Sequence, residues 1–131
     1  ERKLPLVCAN PDIVVERGHR LIYCAGALAE AYAALGGEVA YAGKPYPPIY
    51  ARARELIAEA RGGAVETARI LAIGDGIKTD IAGAAAAGLR AVFIASALHV
   101  EGAKGFDESN LARLFDGHPA PPIAAQTGLA W

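Results

Sequence analysis

An α/β fold with a parallel sheet and helices on both sides is predicted by three features of the sequence. Short apolar runs alternate with alanine-rich stretches of helical period, the connections between them are short, and glycines punctuate the handovers. Leu6-Val7-Cys8-Ala9 is the first strand, ended by the turn signal Asn10-Pro11-Asp12. Ile13–Glu16 is a second short strand, followed by the polar turn Arg17-Gly18-His19-Arg20. Ala25–Leu35 is a helix with Leu28, Ala31, Tyr32 and Leu35 on one face, capped by Gly36-Gly37.

Val39–Ala42 is the next strand, broken by Gly43-Lys44-Pro45. After Pro47 and Pro48, Ile49–Ala60 keeps helical spacing at Ile49, Ala53, Leu56, Ile57 and Ala60, and Gly62-Gly63 stops it. Ile70–Ile73 is a continuous apolar run of the kind buried on both faces of a parallel sheet. Gly74-Asp75-Gly76 turns the chain into a third helix with Thr79 as its N-cap and Asp80 in its first turn. Gly83 and the following alanines let that helix lie close to the sheet, and Gly88 caps it. Ala91–Ala95 is a strand, Glu108–Phe115 a short helix, and a last strand ends at Trp131.

Composition narrows the function. The 131 residues are 53% apolar and 21% charged, enough for one domain with a core and unlike a disordered chain. No apolar run approaches the roughly 18 residues of a membrane span. The charged opening Glu1–Lys3 with its short apolar stretch is no secretion signal. A net charge of −1 without a basic block lacks the footprint of a nucleic-acid binder. Cys8 and Cys24, in apolar surroundings and outside any Cys-x-x-Cys, leave a disulfide open but read more readily as buried reduced thiols of a cytoplasmic protein. The chain holds no methionine and opens on glutamate, a residue that initiator removal disfavours, so it is expected to be part of something longer.

Two loops at carboxyl ends of strands carry the chemistry, where ligands bind in such sheets. Asp75 and Asp80 flank the passage from strand to helix, and two carboxylates there suit a hard cation such as Mg²⁺. Gly76 and Thr79 lie in the same turn, beside a helix start that attracts anions. Taken alone, the segment reads equally well as a capped Gly-Asp turn. Lys44, pinned between glycine and proline, can aim a point charge at that site, as phosphoryl transfer requires; taken alone it is a solvated loop lysine. The two in adjacent units weigh more than either. Asn10-Pro11-Asp12 alone is a turn. His19, His99 and His118 have no partners at metal or triad spacing, and neither Gly-x-Ser-x-Gly nor a Walker loop occurs.

Together, Asn10-Pro11-Asp12, Gly26-Ala27-Leu28, Gly43-Lys44-Pro45, Gly74-Asp75-x-x-x-Thr79-Asp80, Gly83-Ala84 and Ala87-Gly88-Leu89 resemble, in order and spacing, the class IIA subfamily of the haloacid dehalogenase (HAD) superfamily. That subfamily includes phosphatases similar to the sugar phosphatase NagD and pyridoxal phosphatase. The resemblance covers about residues 6–99. It implies a three-layer Rossmann-like core with an inserted α/β cap: residues 1–38 as the end of the cap, 39–131 as the second half of the core. It further implies that Lys44 neutralises phosphate and nucleophile, that Asp75 binds Mg²⁺ with Asp80 supporting the metal shell, and that a small phosphorylated metabolite is the substrate. Asn10, Asp12, Gly76 and Thr79 are its candidate contacts.

The departure is large. The family's Asp-x-Asp motif, which supplies nucleophile and acid–base, is missing: aspartate occurs only at 12, 75, 80, 107 and 116. An aspartyl-phosphate needs that nucleophile, so the chain alone is expected to be inactive, and to associate with itself or with the half that carries the motif. A non-catalytic α/β module is the rival from another class. A two-component receiver is disfavoured, because there the acidic pair precedes the lysine.

Overall fold

The computed structural model describes residues 4–95 and 108–129. Strand β1 (Leu6–Cys8) leads through the 9–12 turn into a hairpin, β2 (Val14–Arg17) and β3 (Arg20–Tyr23), then into helix α1 (Ala25–Ala34). The chain returns as β4 (Val39–Tyr41), which pairs parallel with β1 from Leu6↔Val39 to Cys8↔Tyr41. Helix α2 (Pro47–Arg61) and a 3-10 turn (Thr67–Arg69) precede β5 (Leu71–Gly74). A π-type turn (Ile77–Ile81) runs directly into α3 (Ala82–Ala86), followed by β6 (Arg90–Ile94), α4 (Glu108–Leu114) and β7 (Ala124–Gln126). The second sheet has the order β5-β6-β7 and is parallel throughout. The predicted α/β class with parallel strands is therefore what the chain adopts.

The core sits on β6. Phe93, Ala91, Ile81, Ala84 and Phe115 are buried together, and the Phe93 and Phe115 rings meet edge to face at 5.1 Å. Alternation across the strand brings Ala91 and Phe93 to one face, where the small side chain of Ala84 lets α3 come close. Arg54 of α2 ties the outer layer together, donating to the Ala87 carbonyl at the end of α3 and to Thr67 Oγ1, both at 2.9 Å.

Several expectations need correction. Among the described residues the parallel strands form two groups rather than one continuous sheet: β4 pairs with β1, and β5, β6 and β7 pair in that order. Arg20, expected in a turn, opens strand β3, which pairs with β2. Helix α1 buries Gly26 and Ala29, while Leu28 and Leu35 are exposed; the small residues allow the close approach, and size outweighs hydropathy there. Helix α2 begins at Pro47, because proline's missing N–H costs nothing in a first turn. Strand β5 is covered on one face only: Leu71 and Ile73 are 45% and 48% exposed. Thr79 caps nothing, since it lies inside the π-type turn that begins after Gly76. The last strand is Ala124–Gln126, and His99, Asp107 and Trp131 lie outside the described residues. Both cysteines are free, Cys8 buried and Cys24 partly so.

Candidate active site

The parallel pairing of β1 and β4 brings their carboxyl ends, and the loops that follow them, to one edge. The Ala42 N–H extends the ladder to the Cys8 carbonyl at 2.9 Å, and the Tyr46 N–H closes a turn on the Gly43 carbonyl, also at 2.9 Å, around the cis peptide Lys44–Pro45. Tyr41 and Tyr46 stack across the base of this loop, centroids 4.6 Å apart. Glycines on two sides clamp the 10–12 turn. A Cβ on Gly43 would stand 2.3 Å from the Ala9 carbonyl oxygen and 2.4 Å from Pro11 Cδ; one on Gly26 would stand 2.1 Å from the Pro11 carbonyl oxygen. The Gly26 N–H donates to the Asp12 carbonyl at 3.1 Å. The motif residues 10–12, 26 and 43 are thus one packed unit.

The second loop folds on the Asp80 carboxylate. The Asp80 and Ile81 N–H groups both donate to the Gly76 carbonyl, at 2.8 and 3.0 Å, which widens the turn into its π form. In return Asp80 Oδ2 accepts the Gly76 N–H at 3.0 Å. The carboxylate lies over the backbone so closely that a Cβ on Gly74 would be 2.3 Å from Asp80 Cγ.

The loops meet at one ion pair. Lys44 Nζ stands 2.6 Å from Asp80 Oδ1. Asp80 is 12% exposed and Lys44 48%, so the carboxylate is anchored and the ammonium reaches outward. Burial acts to lower the Lys44 pKa, but the hydrogen bond and charge of Asp80, reinforced by the charge of Asp12, raise it above the ordinary lysine value. Lys44 is therefore a full cation at neutral pH.

The remaining candidates distribute as follows. Asp75, one residue before Gly76, is partly buried, and no hydrogen bond or ion pair among the described residues engages its carboxylate. Asp80, expected beside it in the metal shell, has one oxygen on Lys44 and the other on the Gly76 N–H. Among the described residues no three His, Cys, Asp or Glu side chains converge as a metal cluster. Asp12 faces the site through its charge on Lys44. Asn10 is exposed, and its Oδ1 accepts the Asp12 N–H at 3.4 Å in a local turn. Thr79 Oγ1 folds back over Gly76. Tyr50 was not foreseen: its hydroxyl faces the Thr79 carbonyl at 3.4 Å, and burial, then the charge of Asp80, push its phenol up while Lys44 opposes them. Its signal in the sequence was the placement of an aromatic in the first turn of the helix just behind Lys44.

Residues 41–109, more than half of the chain and both loops, match the model of the HAD-hydrolase-like family. The chain belongs to that family. No curated protein matches it. Among solved structures, this HAD-like chain is similar to a haloacid dehalogenase-like hydrolase from Brucella suis, at 45% identity and a TM-score of 0.75, over 98% of this chain and 45% of that one. A p-nitrophenyl phosphatase from Archaeoglobus fulgidus shares the fold at 23% identity and a TM-score of 0.68, covering 97% of this chain and 44% of that one. A possible sugar phosphatase of the HAD superfamily from Cytophaga hutchinsonii shares it at 18% identity and 0.72, covering 98% and 43%. The HAD-like chain thus spans less than half the length of these relatives.

Proposed function

We propose that this HAD-like chain supplies the lysine and the metal-holding acid of a Mg²⁺-dependent phosphomonoesterase of class IIA type, whose attacking aspartate comes from an Asp-x-Asp strand outside these 131 residues. One observation supports this above the others: the Lys44–Asp80 ion pair at the strand ends, whose Asp80 also holds the Gly76 N–H, one residue after Asp75, a carboxylate that no described residue engages.

The donor set suits Mg²⁺, which takes one or two carboxylates and leaves its other positions to water and phosphate; three converging acids are not required. When bound, Mg²⁺ supplies charge that offsets the phosphate oxygens and the attacking carboxylate. Asp75 is the residue assigned to hold it. Asp80, with both oxygens occupied, acts behind: it fixes the 76–81 turn and aims Lys44. Lys44 carries a persistent positive charge with nearly half its side chain accessible, able to face a phosphate and an incoming carboxylate together. Asp12, Asn10, Gly76 and Thr79 are the residues assigned to contact a small phosphorylated metabolite.

In this reading the cap ends after β4, at Gly43, rather than at residue 38, because β4 shares a sheet with β1. The exposed Leu71 and Ile73 on β5 support completion of that face by further chain or by a second copy. Hydrolysis of p-nitrophenyl phosphate tests the proposal. The chain alone gives no turnover. Joined behind a segment with the Asp-x-Asp strand, it gives Mg²⁺-dependent turnover that Lys44→Ala or Asp75→Asn abolishes. Turnover by the chain alone contradicts it.

A further inference from the structure

The outer layer of the site converges on one side chain that the phosphohydrolase reading leaves unused. The phenol of Tyr50, in the first turn of α2, meets the 77–81 turn and α3. Its hydroxyl faces the Thr79 carbonyl at 3.4 Å, inside the turn that carries Asp80. It packs so closely on α3 that a Cβ on Gly83 would stand 2.1 Å from the hydroxyl and 2.8 Å from Tyr50 Cζ. The same Cβ would be 2.8 Å from Pro45 Cα, so the residue after Lys44 meets α3 at this spot too. Behind it, Pro45, Tyr50, Arg54, Gly83 and Ala87 line a cleft of about 250 Å³, across which Arg54 alone is seen to donate to the Ala87 carbonyl among the described residues.

We propose that Tyr50 is a positioning residue: its ring seats the Gly43–Pro45 loop against the 77–81 turn and α3, and so keeps Lys44 on Asp80. The reasoning is geometric. Lys44 and Asp80 come from loops 36 residues apart in sequence, and a half-exposed lysine loses side-chain entropy when held in one rotamer. An ion pair of that exposure does not fix two loops by itself. A ring that packs on α3 at the point where Pro45 also meets it, with its hydroxyl on the 77–81 turn, adds what the pair lacks, and the long hydroxyl contact adds direction more than strength. The significance for catalysis rests on the phosphohydrolase reading; the packing claim does not.

Nuclear magnetic resonance on this chain reads the outcome without turnover. At mildly acid pH, a lysine ammonium held by a carboxylate gives an observable ¹⁵Nζ–¹Hζ signal, whereas a free one exchanges too fast. Tyr50→Ala is expected to lose the Lys44 signal while the Phe93 and Phe115 resonances keep their positions. Tyr50→Phe, which retains the ring, keeps it. Gly83→Ala, which pushes the ring out from the other side, loses it and serves should Tyr50→Ala fail to fold. A Lys44 signal that survives in Tyr50→Ala or Gly83→Ala overturns the proposal. Asp80→Asn removes the anion and is expected to lose the signal; if it does not, the ion pair itself is absent and the proposal falls with it. In the joined protein, Tyr50→Ala raises KM for p-nitrophenyl phosphate and lowers kcat, and Tyr50→Phe restores both. Failure of that assay alongside the expected resonance results counts against the phosphohydrolase reading, not against the packing.

Discussion

Asp80 divides its two oxygens between the 2.6 Å contact to Lys44 Nζ and the 3.0 Å contact to the Gly76 N–H, so one carboxylate both shapes its own loop and holds the cation of another. Replacing it by alanine leaves the Gly76 N–H without its acceptor and frees Lys44. The expected cost is about 1–2 kcal/mol, most of it from the backbone donor, because the half-exposed ion pair contributes under about 1 kcal/mol. Urea unfolding of Asp80→Ala beside Lys44→Ala separates the two: the first lowers the midpoint clearly, the second barely.

The clamp on the 10–12 turn makes a second prediction. Gly43→Ala places a methyl on the Ala9 carbonyl and on Pro11, and neither backbone nor ring is free to move far. Overpacking of this kind costs roughly 1–3 kcal/mol. Gly63→Ala meets nothing within 4 Å and stays within about 0.5 kcal/mol of the parent. Thermal unfolding of the pair checks the contrast.

Core packing gives the largest effect. Phe93 is fully buried and meets Phe115 edge to face, so Phe93→Ala costs about 3–5 kcal/mol. Calorimetry is the measure; a loss below about 1 kcal/mol contradicts the placement of the core on β6.

The raised pKa of Lys44 fixes a pH dependence. Its folded value lies above the ordinary lysine value, so the stability it contributes is complete at neutral pH and up to that ordinary value. It is lost only as pH rises through the folded value. Asp80→Asn removes the main cause and brings the Lys44 titration down toward the ordinary range. Resonances of the lysine Cε protons followed with pH report it directly.

The elements were legible because their signals are local. Apolar runs, alanine-rich periodicity and glycine stops gave most of the strands and helices to within a residue or two. What the sequence concealed was which side of each element is covered. Leu28, Leu35, Leu71 and Ile73 look like core and are exposed, while Gly26, Ala29 and Ala84 do the packing; hydropathy does not encode the close approach that small residues permit. At the site, Lys44 and Asp80 are singled out by their loops at strand ends, and the structure brings these two together. That Asp80 spends one oxygen on the Gly76 N–H and the other on Lys44 is not legible, because it depends on a π-type turn that folds Asp80 back onto Gly76. Tyr50 escaped because its partners come from loops remote in sequence.

The proposed function requires Asp75 to hold a divalent cation within reach of Lys44. Titrating Mg²⁺ into the chain while following its amide resonances tests it most directly. Binding that shifts Asp75 and Gly76, is strengthened by inorganic phosphate in a Lys44-dependent way, and disappears in Asp75→Asn is the predicted result. Shifts that persist undiminished in Asp75→Asn, or no shift at those residues at all, contradict it.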